Sequence, residues 1–132
     1  MRVIIGGSRS IASVAALEAA IVASGFAITE VLTSDSRGVD ALAEAWARGR
    51  GIPVKVYRPD WSRYGGRAER IRNELALSMA DASIMLWDGF SRGTAVFIEM
   101  ASMRNLDLVV YECNPQQATS RESTRIHRRL RA

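Results

Sequence analysis

Five short runs of apolar, largely β-branched residues alternate one by one with segments whose apolar residues recur at helical spacing. That alternation restricts the fold more than any other property of the chain. Arg2–Ile5, Ile28–Thr33, Val54–Tyr57, Ala82–Trp87 and Leu108–Tyr111 read as strands. After the first, Ile11, Val14, Leu17, Ile21 and Val22 keep helical spacing, with Ser10 as candidate N-cap and Gly25 where a glycine would stop the helix. The second helix carries Val39, Leu42, Ala43, Trp46 and Ala47 on one face and ends near Gly49–Gly51. Arg58–Trp61 closes the third strand, and Ser62–Gly66 reads as a flexible loop. The third helix, Arg67–Ala80, turns Ala68, Ile71, Leu75 and Met79 inward and leaves Arg67, Glu69, Arg70 and Glu74 to solvent. The fourth, Ala95–Asn105, buries Phe97, Ile98, Met100 and Ala101. Parallel neighbours need crossover connections, so the alternation predicts an α/β fold: one doubly wound parallel sheet of five strands, order 3-2-1-4-5, with helices on both faces.

In that order the loops after strands one and four meet at the point where the winding reverses, the place where open α/β sheets take ligands. Both loops are rich in small residues. Gly6, Gly7, Ser8 and Arg9 follow the first strand, and Asp88, Gly89, Phe90, Ser91, Arg92, Gly93 and Thr94 follow the fourth. Glycines, hydroxyls and an arginine beside a helix start, whose first N–H groups have no partner of their own, suit a phosphate. The spacing is not G-x-G-x-x-G, so the chain carries no standard dinucleotide fingerprint. Ser91, Gly93 and Thr94 are the leading phosphate candidates, with Arg9 as a forked donor. Ser8 either joins them or caps the helix. Asp88 either accepts from ribose hydroxyls or makes an Asx turn. Asp40 answers its helix dipole or faces the ligand, and Arg72 pairs with Asp40 or Asp88 or contacts the ligand. Trp61 and Tyr64 stack on a base or cover the core edge.

Charge narrows the choice of partner. The net charge of +4 resides in residues 113–132, where Arg121, Arg125, Arg128, Arg129 and Arg131 stand against Glu122, while residues 1–112 balance to zero. The expected organisation is therefore a nucleotide-binding domain over 1–112 followed by a basic polar tail over 113–132. Single-stranded nucleic acid is a possible partner of that tail, and the neutral body argues against it. One thiol, Cys113, and one histidine, His127, make neither a disulfide nor a metal cluster, and no metal or cofactor is expected. No apolar run approaches the roughly 20 residues of a membrane span, and Met1–Ile5 is too short for a signal-peptide core before Gly6; the expectation is a cytoplasmic chain with no membrane partner. The apolar content leaves room for a homodimer or higher homo-oligomer.

Several of these motifs together resemble the SLOG superfamily of Rossmann-like domains, and within it the small YspA-like bacterial and phage proteins. The resemblance spans roughly residues 2–112. It is carried by Gly6-Gly7-Ser8-Arg9, by Arg37-Gly38-Val39-Asp40 with Ala43 and Trp46, by Asp60-Trp61 with Tyr64-Gly65, by Arg72-Asn73, and by Asp88–Thr94. It implies binding, as sensor or sequestering protein, of a nucleotide or nucleotide-derived small molecule, with Asn73 and Gly89 added to the ligand-binding set. The superfamily includes the Lonely Guy phosphoribohydrolases and, more distantly, DNA-processing protein A. The hydrolases carry a glutamate in a P-G-G-x-G-T-x-x-E pattern, and the match places Phe97 there. Arg72 matches their arginine, so the alternative of an N-glycoside hydrolase acting on a nucleoside monophosphate relies on Arg72 with Glu99, which a helix rotates by about 200° from the Phe97 position. Relatives carry two glycines after strand two where this chain has Ser34-Asp35, a side chain and a negative charge near the expected phosphate.

Overall fold

The computed structural model describes residues 1–113 and 124–130. Its sheet runs β3-β2-β1-β4-β5-β6, the expected order extended by one strand. β1 (Arg2–Gly7), β2 (Glu30–Ser34), β3 (Val54–Tyr57), β4 (Ala82–Trp87) and β5 (Asp107–Cys113) are mutually parallel, and β6 (Thr124–Arg129) pairs antiparallel with β5. The sixth strand corrects the expected count of five. Residues 124–129 lie in the segment expected as a basic tail; their sequence lacks an apolar face because the outermost strand meets solvent, where charged side chains guard an unpaired edge. Asn114–Ser123, with Arg121 and Glu122, and Arg131 lie outside the described residues.

The period of two along each strand sorts side chains to two cores. Val3, Ile5, Val31, Ala82, Ile84 and Leu86 face α1 (Val14–Ser24) and α2 (Val39–Gly49), meeting Leu17, Ala20, Val39, Ala43 and Ala47. Ile4, Leu32, Met85, Leu108 and Val110 face the other way, toward Ala76 and Leu77 of α4 (Ala68–Met79) and Ala101 of α5 (Arg92–Ser102). Among the described residues no helix is long and apolar enough to cross a membrane.

Four local expectations change. Ser13, not Ser10, caps α1, its hydroxyl accepting from the Ala16 amide at 3.1 Å; the Ser10 hydroxyl is engaged elsewhere. Residues 62–66 are not an open loop: Asp60 caps a short helix, α3 (Trp61–Tyr64), by accepting from the Arg63 amide, and a 3-10 turn, Gly65–Arg67, leads into α4. On α4 the inward residues are Ala68, Ala76 and Leu77, whereas Leu75 and Met79 are exposed. Lastly, α5 begins at Arg92, a full turn before Ala95, so that the small-residue stretch is the first turn of the helix itself.

Candidate functional site

Gly6 and Gly7 are the last residues of β1 and pair with Met85 and Leu86 of β4. Gly7 is required by that approach: a Cβ there would lie 2.0 Å from the Leu86 carbonyl oxygen. The chain then turns into Ser8, which is buried and joins the two loops. Its amide donates to the Leu86 carbonyl at 3.0 Å, its hydroxyl accepts from the Asp88 amide at 3.1 Å and lies 3.3 Å from the Thr94 hydroxyl. Ser8 is thus neither a helix cap nor a group facing the cavity.

Asp88 is the second half of this brace. Its Oδ1 accepts from the amides of Phe90 and Ser91 at 2.8 and 2.7 Å, and its Oδ2 from the hydroxyls of Ser10 and Ser91, both at 2.7 Å. Burial opposes its ionisation, but the hydrogen bonds from Ser10, Ser91 and Phe90 outweigh burial and hold the carboxyl far below the usual carboxylate range. Both oxygens are engaged in the loops, so of the two readings of Asp88 the geometry matches the Asx turn.

A third loop is locked in by Asp40, buried in the first turn of α2. It accepts from the Gly7 amide at 3.0 Å and from the Ser34 hydroxyl, tying the ends of β1 and β2 to one carboxylate. Burial dominates its titration and pushes the carboxyl up; the Ser34 and Gly7 hydrogen bonds and the Arg72 charge pull the other way without cancelling it. Gly38, at φ 72°, precedes it because the β1 loop passes directly over this point: a Cβ would sit 2.4 Å from the Ser8 carbonyl oxygen. Asp35, whose charge was expected to disturb this corner, is exposed and 3.8 Å from the Arg58 guanidinium.

Since the two loops are bonded to each other, the cavity lies beside them, on the α4–α5 side of the sheet. It measures about 700 Å³. Its floor is the sheet face itself, Ile4, Leu32, Met85 and Tyr57, with Ala76 and Phe97 from the helices above. One end is polar, formed by Gly6, Gly7, Arg9 and the opening turn of α5. There helix geometry leaves the amides of Arg92, Gly93 and Thr94 without carbonyl partners, and the Ser91 side chain, whose hydroxyl donates to Asp88, makes no capping hydrogen bond to them. A smaller hollow of about 240 Å³ adjoins, lined by Arg9, Arg37, Arg72, Asp35, Glu69 and Trp61.

Of the residues expected at the ligand, Gly6, Gly7, Arg9, Asp40, Arg72, Asn73, Ser91, Arg92, Gly93 and Thr94 line this cavity; Ser8, Asp88 and Gly89 stand behind it. Arg72 forms no ion pair with Asp40 or Asp88. Its Nε donates to Asn73 Oδ1 at 2.9 Å, and its guanidinium lines both hollows. Glu99 is exposed and does not line the cavity, so the structure does not bring Arg72 and Glu99 together; the position nearer the cavity belongs to Phe97. Missed by sequence were Tyr57, at the carboxyl end of the edge strand β3, and the cavity-lining place of Glu69 and Arg70, which are solvent-exposed as expected and stand at its rim.

Two arginines of the C-terminal strand are held within the fold. Arg128 donates to the Ala23 carbonyl at 3.2 Å and lies over the Phe26 ring, while Arg129 donates to the carbonyl of Ala101 in the last turn of α5 and to those of Arg104 and Leu106 after it. Cations at helix C-termini are favourable there.

Comparison with known proteins fits this architecture. The family model described as YspA, cpYpsA-related SLOG family matches residues 1–64, the stretch that supplies Gly6, Gly7, Arg9, Asp40 and Tyr57. No curated protein and no solved structure matches the chain significantly. β1 to β3 and the Gly38–Asp40 lock fall inside the matched stretch, and the match over residues 1–64 supports YspA-like membership of the SLOG superfamily.

Proposed function

We propose that the protein binds a nucleotide or nucleotide-derived small molecule in the 700 Å³ cavity, its phosphate at the first turn of α5 and its base over the apolar sheet face. One observation carries this reading: a single cavity joins uncapped helix amides and arginines at one end to an apolar floor at the other. A phosphate accepts from the amides of Arg92–Thr94 with the helix dipole behind them, and Arg9 and Arg92 add forked donors. Neither arginine forms an ion pair among the described residues, so each is available to an anion. The family match over residues 1–64 supports a nucleotide-related role at this coarse level.

Thermal shift and calorimetry against nucleoside mono- and diphosphates, ADP-ribose and NAD-derived compounds test the reading. Stabilisation that grows with ligand concentration is expected, and Arg9→Ala and Arg92→Ala should each reduce it. No stabilisation by any compound at millimolar concentration would overturn the proposal. Chromatography of the incubated ligands reports release of free base in the same samples.

A further inference from the structure

We propose that the smaller hollow beside the cavity is a second phosphate subsite, so that the preferred ligand is a nucleoside bisphosphate with its two phosphates on opposite sides of the sugar; this rests on the nucleotide reading above. The hollow, about 240 Å³, shares Arg9, Ser36, Glu69 and Arg72 with the cavity, whereas Arg37 lines the hollow alone. Three arginines thus converge on it, from the loops after β1 and β2 and from α4. The fold imposes this convergence. A Cβ on Gly38 would lie 2.6 Å from the Arg9 Cα, so glycine at this position lets the β1 loop run against the β2 loop and makes neighbours of Arg9 and Arg37. Arg72 is steadied by its own helix: its Nε donates to Asn73 Oδ1 at 2.9 Å, and its terminal nitrogens have no hydrogen-bond partner among the described residues.

Like charges brought together are unfavourable unless they are answered, and the chain answers these poorly. None of the three arginines forms an ion pair among the described residues. Two carboxylates line the hollow, Asp35 and Glu69, and Asp35 lies 3.8 Å from the guanidinium of Arg58, outside the trio. That leaves Glu69, exposed at the rim, against three guanidinium groups. A concave cationic site concentrates anions, and paired guanidinium N–H groups match the oxygens of a phosphate. Position says where that phosphate sits on the ligand. β2, whose exit carries Arg37, lies two strands from β4, whose exit launches α5, roughly 10 Å at the usual strand spacing. The two phosphates of a diphosphate share one bridging oxygen and stay too close together to fill both sites. Phosphates at the 3′ and 5′ positions of a ribose stand farther apart and leave the base free for the apolar floor.

The test titrates wild type, Arg37→Gln and Arg50→Gln calorimetrically with the 5′-monophosphates, 5′-diphosphates and 3′,5′-bisphosphates of adenosine and guanosine, and melts each protein without ligand. Arg37 is exposed and lines the hollow but not the cavity, so its substitution spares the first phosphate site. Arg50, at the C-terminal end of α2, gives the same change in net charge and lines neither hollow. For the better-bound base, wild type should bind the bisphosphate at least tenfold more tightly than the mono- or diphosphate. Arg37→Gln should weaken bisphosphate binding roughly 10-fold while monophosphate binding and the ligand-free melting temperature hold. Arg50→Gln should alter none of the affinities. Wild type that binds mono- and bisphosphates alike, or a bisphosphate affinity untouched by Arg37→Gln, overturns the second subsite while the nucleotide reading stands. A diphosphate gain equal to that of the bisphosphate, and lost in Arg37→Gln, overturns the placement across the sugar. Equal losses in Arg37→Gln and Arg50→Gln reveal a general charge effect, which overturns the subsite too. Wild type that binds none of the six compounds overturns this proposal, and failure of the wider nucleotide panel removes the nucleotide reading with it.

Discussion

Gly93→Ala should make the protein more stable and a worse binder at once. Gly93 is the second residue of α5, and a Cβ built on it meets nothing within 4 Å, so the fold accommodates a methyl there without strain. Replacing a helical glycine by alanine at a compatible position restricts the unfolded chain and stabilises by about 0.5–1 kcal/mol. For a domain of this size that raises the melting temperature by about 2–4 °C. The open space around the Cβ is the polar end of the cavity, where an anion must come within hydrogen-bond distance of the Arg92–Thr94 amides. A methyl that holds it off breaks at least one hydrogen bond to a charged group, roughly 1.5–3 kcal/mol, which is roughly 10- to 150-fold in Kd. Calorimetric titration with the tightest-binding nucleotide and a ligand-free thermal melt measure the two effects separately. A stabilised variant with unaltered affinity would refute the placement of the phosphate, and a destabilised one would refute the assignment of Gly93 to the helix.

Gly7→Ala should behave oppositely, since its Cβ would lie 2.0 Å from the Leu86 carbonyl oxygen; a loss above about 3 kcal/mol, seen as a collapsed urea midpoint or insoluble protein, is expected. Asp88→Ala removes the acceptor of four hydrogen bonds and should cost roughly 2–4 kcal/mol in urea unfolding. Because the folded Asp88 carboxyl titrates below its unfolded value, its contribution is present above about pH 4 and lost as pH falls beneath that, so the variant's stability profile should be flatter on the acid side. Asp40 carries the opposite sign: its folded value is raised, so its contribution is present below about pH 4 and lost as pH rises through the folded value, and Asp40→Asn should remove that slope from the stability profile. Arg129→Ala removes the side-chain donor to the carbonyls of Ala101, Arg104 and Leu106 at the end of α5 and should cost about 1 kcal/mol in chemical unfolding while leaving nucleotide binding unchanged.

Strand order and the meeting of the β1 and β4 loops were legible because burial imposes regular periods on strands and helices, and those periods survive in Val3–Ile5, Val31–Leu32 and Ala82–Leu86. Legibility failed where burial is not sorted by size. On α4 the large residues Leu75 and Met79 face solvent while Ala68, Ala76 and Leu77 face inward, and Ala76 is the small side chain the helix presents to the cavity. The early start of α5 was hidden for a different reason. Gly93 and Thr94 are poor helix formers, and the turn is held by Asp88 through the Ser91 amide, a tertiary brace that propensity does not register. β6 escaped notice because residues 125–130 are exposed and leave no alternating pattern to read.

The balance of charge in residues 1–112 is the property most easily misread, since a net of zero says nothing of where each sign is neutralised. Arg2, Arg48, Arg58 and Arg70 each meet a carboxylate within 4.0 Å. Arg9, Arg72 and Arg92 form no ion pair among the described residues, and all three line the cavity. Of the carboxylates nearby, Glu69 is exposed at the cavity rim, Asp88 is consumed by four hydrogen bonds behind the wall, and Asp40 is buried under Gly7 and Ser34 with its charged form disfavoured. Phe97 lines the cavity and adds no charge to it. Arg9 and Arg92 therefore bring positive charge without an ion-pair partner among the described residues to the cavity that the uncapped start of α5 lines.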